Sequence, residues 1–259
     1  MARIISIINQ KGGVGKTTTA INLATYLAAL GRRVLLVDID PQGNASSGLG
    51  VDYQKVDKGV YEIMAIEEIN LPDITIKHRI DGLHIAPATL NLAGANVELV
   101  NLPRREFRLQ DQLRPYLHLY DFVLIDNPPS LGLLTINGMV AANELLIPVQ
   151  CEYFALEGLS QLLYTINLVQ NNIKPELNIL GAVLTMYDGR NSLSEAVFYE
   201  LYQHFPRKIF RSVIPRNILL AEAPSYGKSI LEYQPHSRGA KAYNKLAQEI
   251  LLTKDIYDK

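Results

Sequence analysis

Two rhythms of apolar residues alternate along the chain. Short apolar runs rich in Ile, Leu and Val occur at residues 3–8, 34–37, 122–125, 145–149 and 179–186. Between them lie longer stretches with apolar residues three and four apart. One is 17–30, with Ile21, Leu23, Ala24, Leu27 and Ala28; another is 156–169. Apolar runs suit parallel strands covered on both faces, and the wider spacing suits the helices that cover them. Gly31 follows the first helical stretch, where a C-terminal cap favours glycine. The alternation predicts an α/β fold with a mostly parallel central sheet and helices on both faces. In such sheets ligands bind beyond the carboxyl ends of the strands. That points to the loops after Ile8, Val37 and Ile125.

The stretch 51–115 is less regular. Residues 74–77 and 83–86 read as edge strands, and 104–117 as an exposed helix. No repeat, low-complexity tract or long linker divides the chain, so residues 1–259 read as a single domain. Hydrophobic residues make up 48% and charged residues 20%. That balance excludes a disordered chain. Cys151 is the single cysteine, so an internal disulfide and a multi-cysteine metal site are excluded. The same count excludes a reductase whose subunits each supply two cysteines to an iron–sulfur cluster. No run approaches the ~18 apolar residues of a spanning helix, and the N-terminus enters a Gly-rich loop rather than a cleavage site. The expected compartment is the cytoplasm.

Charge is unevenly distributed. The formal net charge is −1, yet residues 206–245 hold eight basic and two acidic residues, a local balance of +6. A basic face on a near-neutral chain is the footprint of polyanion binding, although a solvated face would look the same.

The strongest chemical signal is the segment 9–19, NQKGGVGKTTT, placed between a strand and a helix. Gly12, Gly13 and Gly15 let backbone N–H groups turn inward around phosphate oxygens, with Val14, Thr17 and Thr18 in the same cradle. The helix that starts near Lys16 adds its positive end. Lys16 is placed to reach the outer phosphates and the Thr17 hydroxyl to ligate Mg²⁺. The loop departs from the general P-loop pattern, because Gln10 holds the first glycine position and Lys11 adds a second cation. A cation at the outer edge of the loop is positioned to serve the site of a facing subunit.

Two carboxylate loops join it. Asp38 and Asp40 follow one strand run and Asp126 follows another. Mg²⁺ binds one or two carboxylates together with phosphate and water. Asp126 suits a water-mediated contact to the metal, Asp38 supports the metal shell, and Asp40 orients or deprotonates the attacking water. A turn or capping role is the plain alternative for each.

These residues resemble the deviant Walker A ATPases: the loop 11–17, KGGVGKT, the segment VDIDPQGN ending at Asn44, and IDNPPS ending at Ser130. Residues 148–158, 184–190, 213–217, 222–228 and 237–243 are similar to the ParA/Soj partition ATPases, so the likeness runs over nearly the whole chain. The resemblance implies ATP and Mg²⁺ as cofactors, with Lys16 and Thr17 as the P-loop lysine and metal ligand. It implies that Lys11 reaches the γ-phosphate of a partner subunit, that Asp40 serves hydrolysis, and that Asp126 is the Walker B acid. It implies that Pro215 and Asn217 hold the adenine base and that Glu152 lies near the ribose at a dimer face. ATP would then join two chains into a homodimer that binds double-stranded DNA without sequence preference. A ParB-type partner would stimulate slow hydrolysis, and the protein would associate with the nucleoid. Arg190, Arg216, Lys228, Arg238, Lys241 and Lys245 are the candidate DNA contacts, with surface salt-bridge roles as the alternative.

Asn127 stands where relatives carry cysteine or a small residue, and little effect is expected from it. The P-loop begins at residue 9, so no N-terminal helix-turn-helix domain is expected. A MinD-like membrane ATPase needs a basic amphipathic C-terminal helix. Residues 240–252 instead place Tyr243, Leu246, Ala247, Ile250 and Leu251 as a helix packed on the core, so no membrane partner is expected. A small-molecule ligase on the same scaffold and a positioning ATPase for another cargo remain open.

Overall fold

The computed structural model describes residues 2–66, 68–152, 157–189, 198–199, 201–203, 205 and 208–257. Among them, seven strands build one sheet. They are β1 (Arg3–Ile7), β2 (Val34–Asp38), β3 (Ile76–Lys77), β4 (Leu83–Ala86), β5 (Phe122–Asp126), β6 (Glu144–Gln150) and β7 (Asn178–Thr185). Their spatial order is β3-β4-β2-β5-β1-β6-β7. Every pair is parallel except β3 with β4.

Each central strand is apolar on both sides because each side meets its own helical layer. Ile5, Ile7, Leu36 and Leu124 pack with the helices Lys16–Ala29 and Arg238–Tyr257. Ile4, Leu35, Val37, Val123 and Ile125 pack with Leu133–Ala141 and Glu157–Asn172. Each fully buried aliphatic side chain contributes roughly 1.5–3 kcal/mol relative to exposure. The C-terminal helix is pinned back to the first strand through Arg3, whose guanidinium donates to the Ile250 carbonyl at 2.6 Å and pairs with Glu144 at 2.6 Å.

The irregular region departs from the sequence reading in three places. Residues 83–86 are not an edge, because β4 pairs with β2 on one side and β3 on the other. Residues 71–74 form a helical turn, which leaves a two-residue edge strand. Its cause is local. Pro72 fits the start of a helix. The Asp73 carboxylate reaches back to accept from the Asn70 N–H at 2.8 Å, as a capping residue does. The stretch 104–117 is neither one helix nor fully exposed. Arg108–Leu113 is α-helical with Leu109 and Leu113 buried, and a 3₁₀ segment Arg114–Leu119 follows, with Pro115 in its first turn.

Three neighbouring strands position the site. Asp38 and Asp126 are paired in register at the ends of β2 and β5, and Ile7 pairs with Asp126 at the end of β1. Asn127 is more consequential than the sequence predicts. Its buried Nδ2 donates to Ser6 Oγ at 2.8 Å, to the Ile7 carbonyl at 3.0 Å and to the Ile125 carbonyl at 3.1 Å, tying β5 to β1 directly below the phosphate loop. Gly138 leaves room for this amide, since a Cβ there would overlap Asn127 Oδ1 and stand 3.0 Å from Ile39 Cδ1. Gly138→Ala is expected to destabilise the fold by about 1–3 kcal/mol through overpacking, read as a lower thermal unfolding midpoint.

Candidate functional site

The loop after β1 is built around two left-handed glycines. Gly13 has φ 75° and Gly15 φ 89°. Other residues rarely adopt such conformations. Gly15 is also the N-cap of the helix Lys16–Ala29, so the chain turns from loop into helix without a side chain over the opening. Two side chains brace the loop from outside the motif. Asn9 accepts from the Lys11 N–H at 3.0 Å and donates to the Pro148 carbonyl at 2.8 Å. Thr185, at the end of β7, donates to the Val14 carbonyl at 2.8 Å, and its methyl lies 3.7 Å from where a Gly15 Cβ would be.

Lys16 is buried and donates to the Lys11 carbonyl at 3.3 Å. Burial lowers its pKa, opposed by the charges of Asp126 and Asp40. Asp38 is fully buried and occupied: Oδ2 accepts from Ser46 N–H at 2.8 Å and Ser46 Oγ at 2.7 Å, and Oδ1 from Asp40 N–H at 3.2 Å. Burial still pushes its carboxyl up to about 6. Asp38 thereby fixes the loop that carries Asp40 rather than projecting into the site. Asp40 is nearly buried, and its Oδ1 accepts from the Gln42 N–H at 3.0 Å.

Asp126 differs from both. It is fully buried, and neither carboxylate oxygen has a well-formed hydrogen bond among the described residues. Burial and the adjacent Asp38 charge push its pKa well above the usual carboxylate range, with the nearby Thr17 hydroxyl and Lys16 tempering the rise. Three acids against one lysine leave the pocket deficient in positive charge. A buried, unpartnered carboxylate beside a threonine and a phosphate loop fits a divalent cation.

Beside Gly15 opens a cavity of about 390 Å³, within the usual range for ligand sites. Its lining includes Thr18, Thr185, Pro215, Asn217 and Tyr243. Tyr243 is held by its hydroxyl, 3.2 Å from Thr19 Oγ1. Asn217 caps the helix Ile218–Glu222, accepting from the Leu219 N–H at 3.0 Å. The rim is thus rigid and mostly apolar, as a planar base requires. A second, more open depression of about 550 Å³ lies beyond Lys11, lined by Gln10, Pro129, Ser130 and Gly158.

A family model described as an AAA domain matches residues 2–179. The chain is 52% identical to the sporulation initiation inhibitor protein Soj of Bacillus subtilis, covering 96% of this chain and 98% of that protein. It is 51% identical to the chromosome-partitioning ATPase Soj of Thermus thermophilus, covering 96% and 95%. The chain belongs to the ParA/Soj family of partition ATPases. Its fold is shared with a solved cobyrinic acid a,c-diamide synthase from Mycobacterium smegmatis bound to ADP and magnesium, with TM-score 0.85, 36% identity and coverage of 97% and 94%.

In this P-loop ATPase fold the residues expected to hold the nucleotide lie together. Gly12, Gly13, Val14 and Gly15 form the loop and Lys16, Thr17 and Thr18 open the helix that follows, with Asp38, Asp40 and Asp126 nearby. Pro215 and Asn217 line the adjoining cavity. Glu152 does not line it: its carboxylate faces Lys11 at 3.3 Å and Arg216 at 3.8 Å. Arg190 lies outside the described residues. Arg216, Lys228, Arg238, Lys241 and Lys245 are all exposed. Arg238, Lys241 and Lys245 follow helical spacing on the C-terminal helix and so share one face. Sequence reasoning missed Asn9, Thr185 and Ser46. Each lies beside a recognisable strand end, but its role depends on partners remote in sequence.

The buried acids set a pH signature. A carboxyl with a raised folded-state pKa contributes stability that is present at low pH and lost as pH rises, at about 1.4 kcal/mol per pH unit between its unfolded and folded values. Asp126→Asn is therefore expected to raise the unfolding midpoint of the nucleotide-free protein at pH 8 more than at pH 4. The same change is expected to abolish the additional stabilisation that Mg²⁺ gives in the presence of ATP. Thermal melts at the two pH values, with and without Mg²⁺, check both.

Proposed function

We propose that this chain is an ATP-driven DNA partition switch, in which nucleotide state controls a homodimer that holds nonspecific double-stranded DNA. The observation that carries the reading is the unpartnered Asp126 carboxylate at the foot of the phosphate loop, beside a cavity whose rim continues into exposed Arg216. Lys16 and the loop N–H groups hold the phosphates, while Pro215 and Asn217 flank the base. Thr17 and Asp126 would hold Mg²⁺, and Asp38 stands behind them as support for the metal shell. Bound Mg²⁺ supplies charge neutralisation at the terminal phosphates.

Asp40 orients the attacking water. Its carboxylate is anchored by the Gln42 N–H and its own N–H by Asp38 at the end of β2, so it keeps a fixed position. Lys11 sits at the outer edge of the loop, half-exposed, where it can extend to the phosphate of a facing chain. Joining two chains doubles the basic face formed by Arg216, Lys228, Arg238, Lys241 and Lys245. Phosphate contacts of that kind bind DNA without reading its sequence. A ParB-type protein as the stimulator, and association with the nucleoid, complete the reading. The names of the relatives support it, one Soj protein being named for chromosome partitioning and the other for inhibiting sporulation.

Asp40→Ala is expected to retain ATP binding, lower turnover at least tenfold and prolong DNA residence in ATP. Turnover at the wild-type rate would remove Asp40 from the water-orienting role. Arg216→Ala is expected to weaken binding to random-sequence duplex in ATP and to reduce the slope of log K against log salt by about one, with nucleotide affinity kept. An unchanged slope would take Arg216 off the DNA surface.

A further inference from the structure

Glu152 follows β6 and stands between two cations that come from opposite ends of the chain. Lys11 lies on the loop after β1, and Arg216 on the segment that rims the base cavity. Glu152 Oε2 is 3.3 Å from Lys11 Nζ, and Oε1 is 3.8 Å from Arg216 Nη2. The carboxylate is aimed rather than loose. Gln150 Nε2 donates to Oε1 at 2.5 Å, and the Glu152 N–H closes a tight turn onto the Gln150 carbonyl at 2.8 Å.

Two oxygens of one anion thus meet two cations, each of which the reading above assigns to a phosphate. Lys11 is assigned to the nucleotide of a facing chain and Arg216 to DNA. A carboxylate can occupy such a position because charge-assisted hydrogen bonds to Lys and Arg accept either anion. We propose that Glu152 is an internal phosphate surrogate, which neutralises Lys11 and Arg216 together in the nucleotide-free chain and holds down its affinity for DNA.

A DNA phosphate approaching Arg216 in that state must displace Glu152 or bear its repulsion. When Lys11 is drawn to a nucleotide phosphate, Oε2 loses its ion-pair partner. Among the described residues the carboxylate then keeps the neutral Gln150 amide and the long 3.8 Å contact to Arg216, so a DNA phosphate competes for Arg216 against a less firmly placed anion. The side chains of Lys11, Glu152 and Arg216 are 34%, 45% and 69% exposed, so these ion pairs are screened. The surrogate is therefore a several-fold bias on the switch, not a lock.

The inference rests on the assignment of Arg216 to DNA, and the test separates the two. Binding of a labelled random-sequence duplex is measured across a salt series, without nucleotide, with ADP and with ATP. Glu152→Gln is expected to tighten nucleotide-free binding about three- to tenfold at low salt, and to steepen the salt slope by about one as Arg216 joins the contacts. In an Arg216→Ala background the same change is expected to give no gain. Glu152→Asp keeps the charge but shortens the reach, and is expected to fall between. An unmoved nucleotide-free affinity, in protein with a wild-type unfolding midpoint, overturns the surrogate. A gain that persists without Arg216 also overturns it, since it would reflect only the loss of a negative charge. If wild-type protein fails to bind DNA even with ATP, the partition reading falls first and the surrogate with it.

Discussion

Two carboxylates leave neighbouring strand ends in register, and neither reaches water. Asp38 and Asp126 are fully buried side by side at the ends of β2 and β5. Like charges in that position are strongly unfavourable unless each is compensated. The protein compensates only one of them. Asp38 receives three hydrogen bonds, from Ser46 and from the backbone of Asp40, and this fixes the loop that carries Asp40. Asp126 receives none that is well formed among the described residues, which is why the proposed function assigns a cation to it. The phosphate loop, the buried lysine and the braced strand ends all act within that imbalance.

This division of labour explains why the surroundings are rigid where the site itself is incomplete. An unpartnered buried charge tends to draw in water or distort the backbone. Here Asn127 stitches β5 to β1, Asn9 and Thr185 hold the phosphate loop from two sides, and Gly138 lets a helix pack tightly behind. Pre-organised dipoles and charges of this kind are worth more to a phosphate transition state than flexible ones, because nothing has to reorganise during the reaction. The instability of the Asp126 pocket and the rigidity of its frame are therefore two sides of one arrangement.

Much of this is legible in the sequence, for a physical reason. Parallel strands covered on both faces must be apolar throughout, so the runs 34–37 and 122–125 stand out and place Asp38 and Asp126 at strand ends. The phosphate loop needs glycines at fixed positions, and Gly13 and Gly15 adopt the left-handed conformations their spacing suggests. What stays hidden depends on contacts between distant segments. Thr185 reads as an ordinary strand residue until β7 is set near the phosphate loop, and Asn127 as a neutral substitution until its amide meets Ser6. Residues 74–77 read as more extended than they are, because the local start of a helix at Asn70-Leu-Pro-Asp outweighs the extended preference of Ile74 and Thr75. The relation of Glu152 to Lys11 and Arg216 cannot be read from spacing at all, since three separate loops create it.

The placement of Arg216 sets the proposed base site and the proposed DNA contact on one short segment. The Ile214 N–H donates to the Leu184 carbonyl, the Tyr187 N–H to Ile214, and the Arg216 N–H to Tyr187, so residues 214–216 run as an extended ladder beside the end of β7. Ile214, Pro215, Arg216 and Asn217 all contribute to the lining of the cavity, and the Arg216 guanidinium also approaches Glu152 from that rim. Under the proposed function no long-range pathway is needed to connect nucleotide and DNA, because the residues assigned to the base are the immediate neighbours of the arginine assigned to DNA. The anion that Arg216 meets in the free chain is carried by the turn after β6, and that same anion also meets Lys11. The coupling that the proposed function requires would thus rest on three adjoining loops at one end of the sheet.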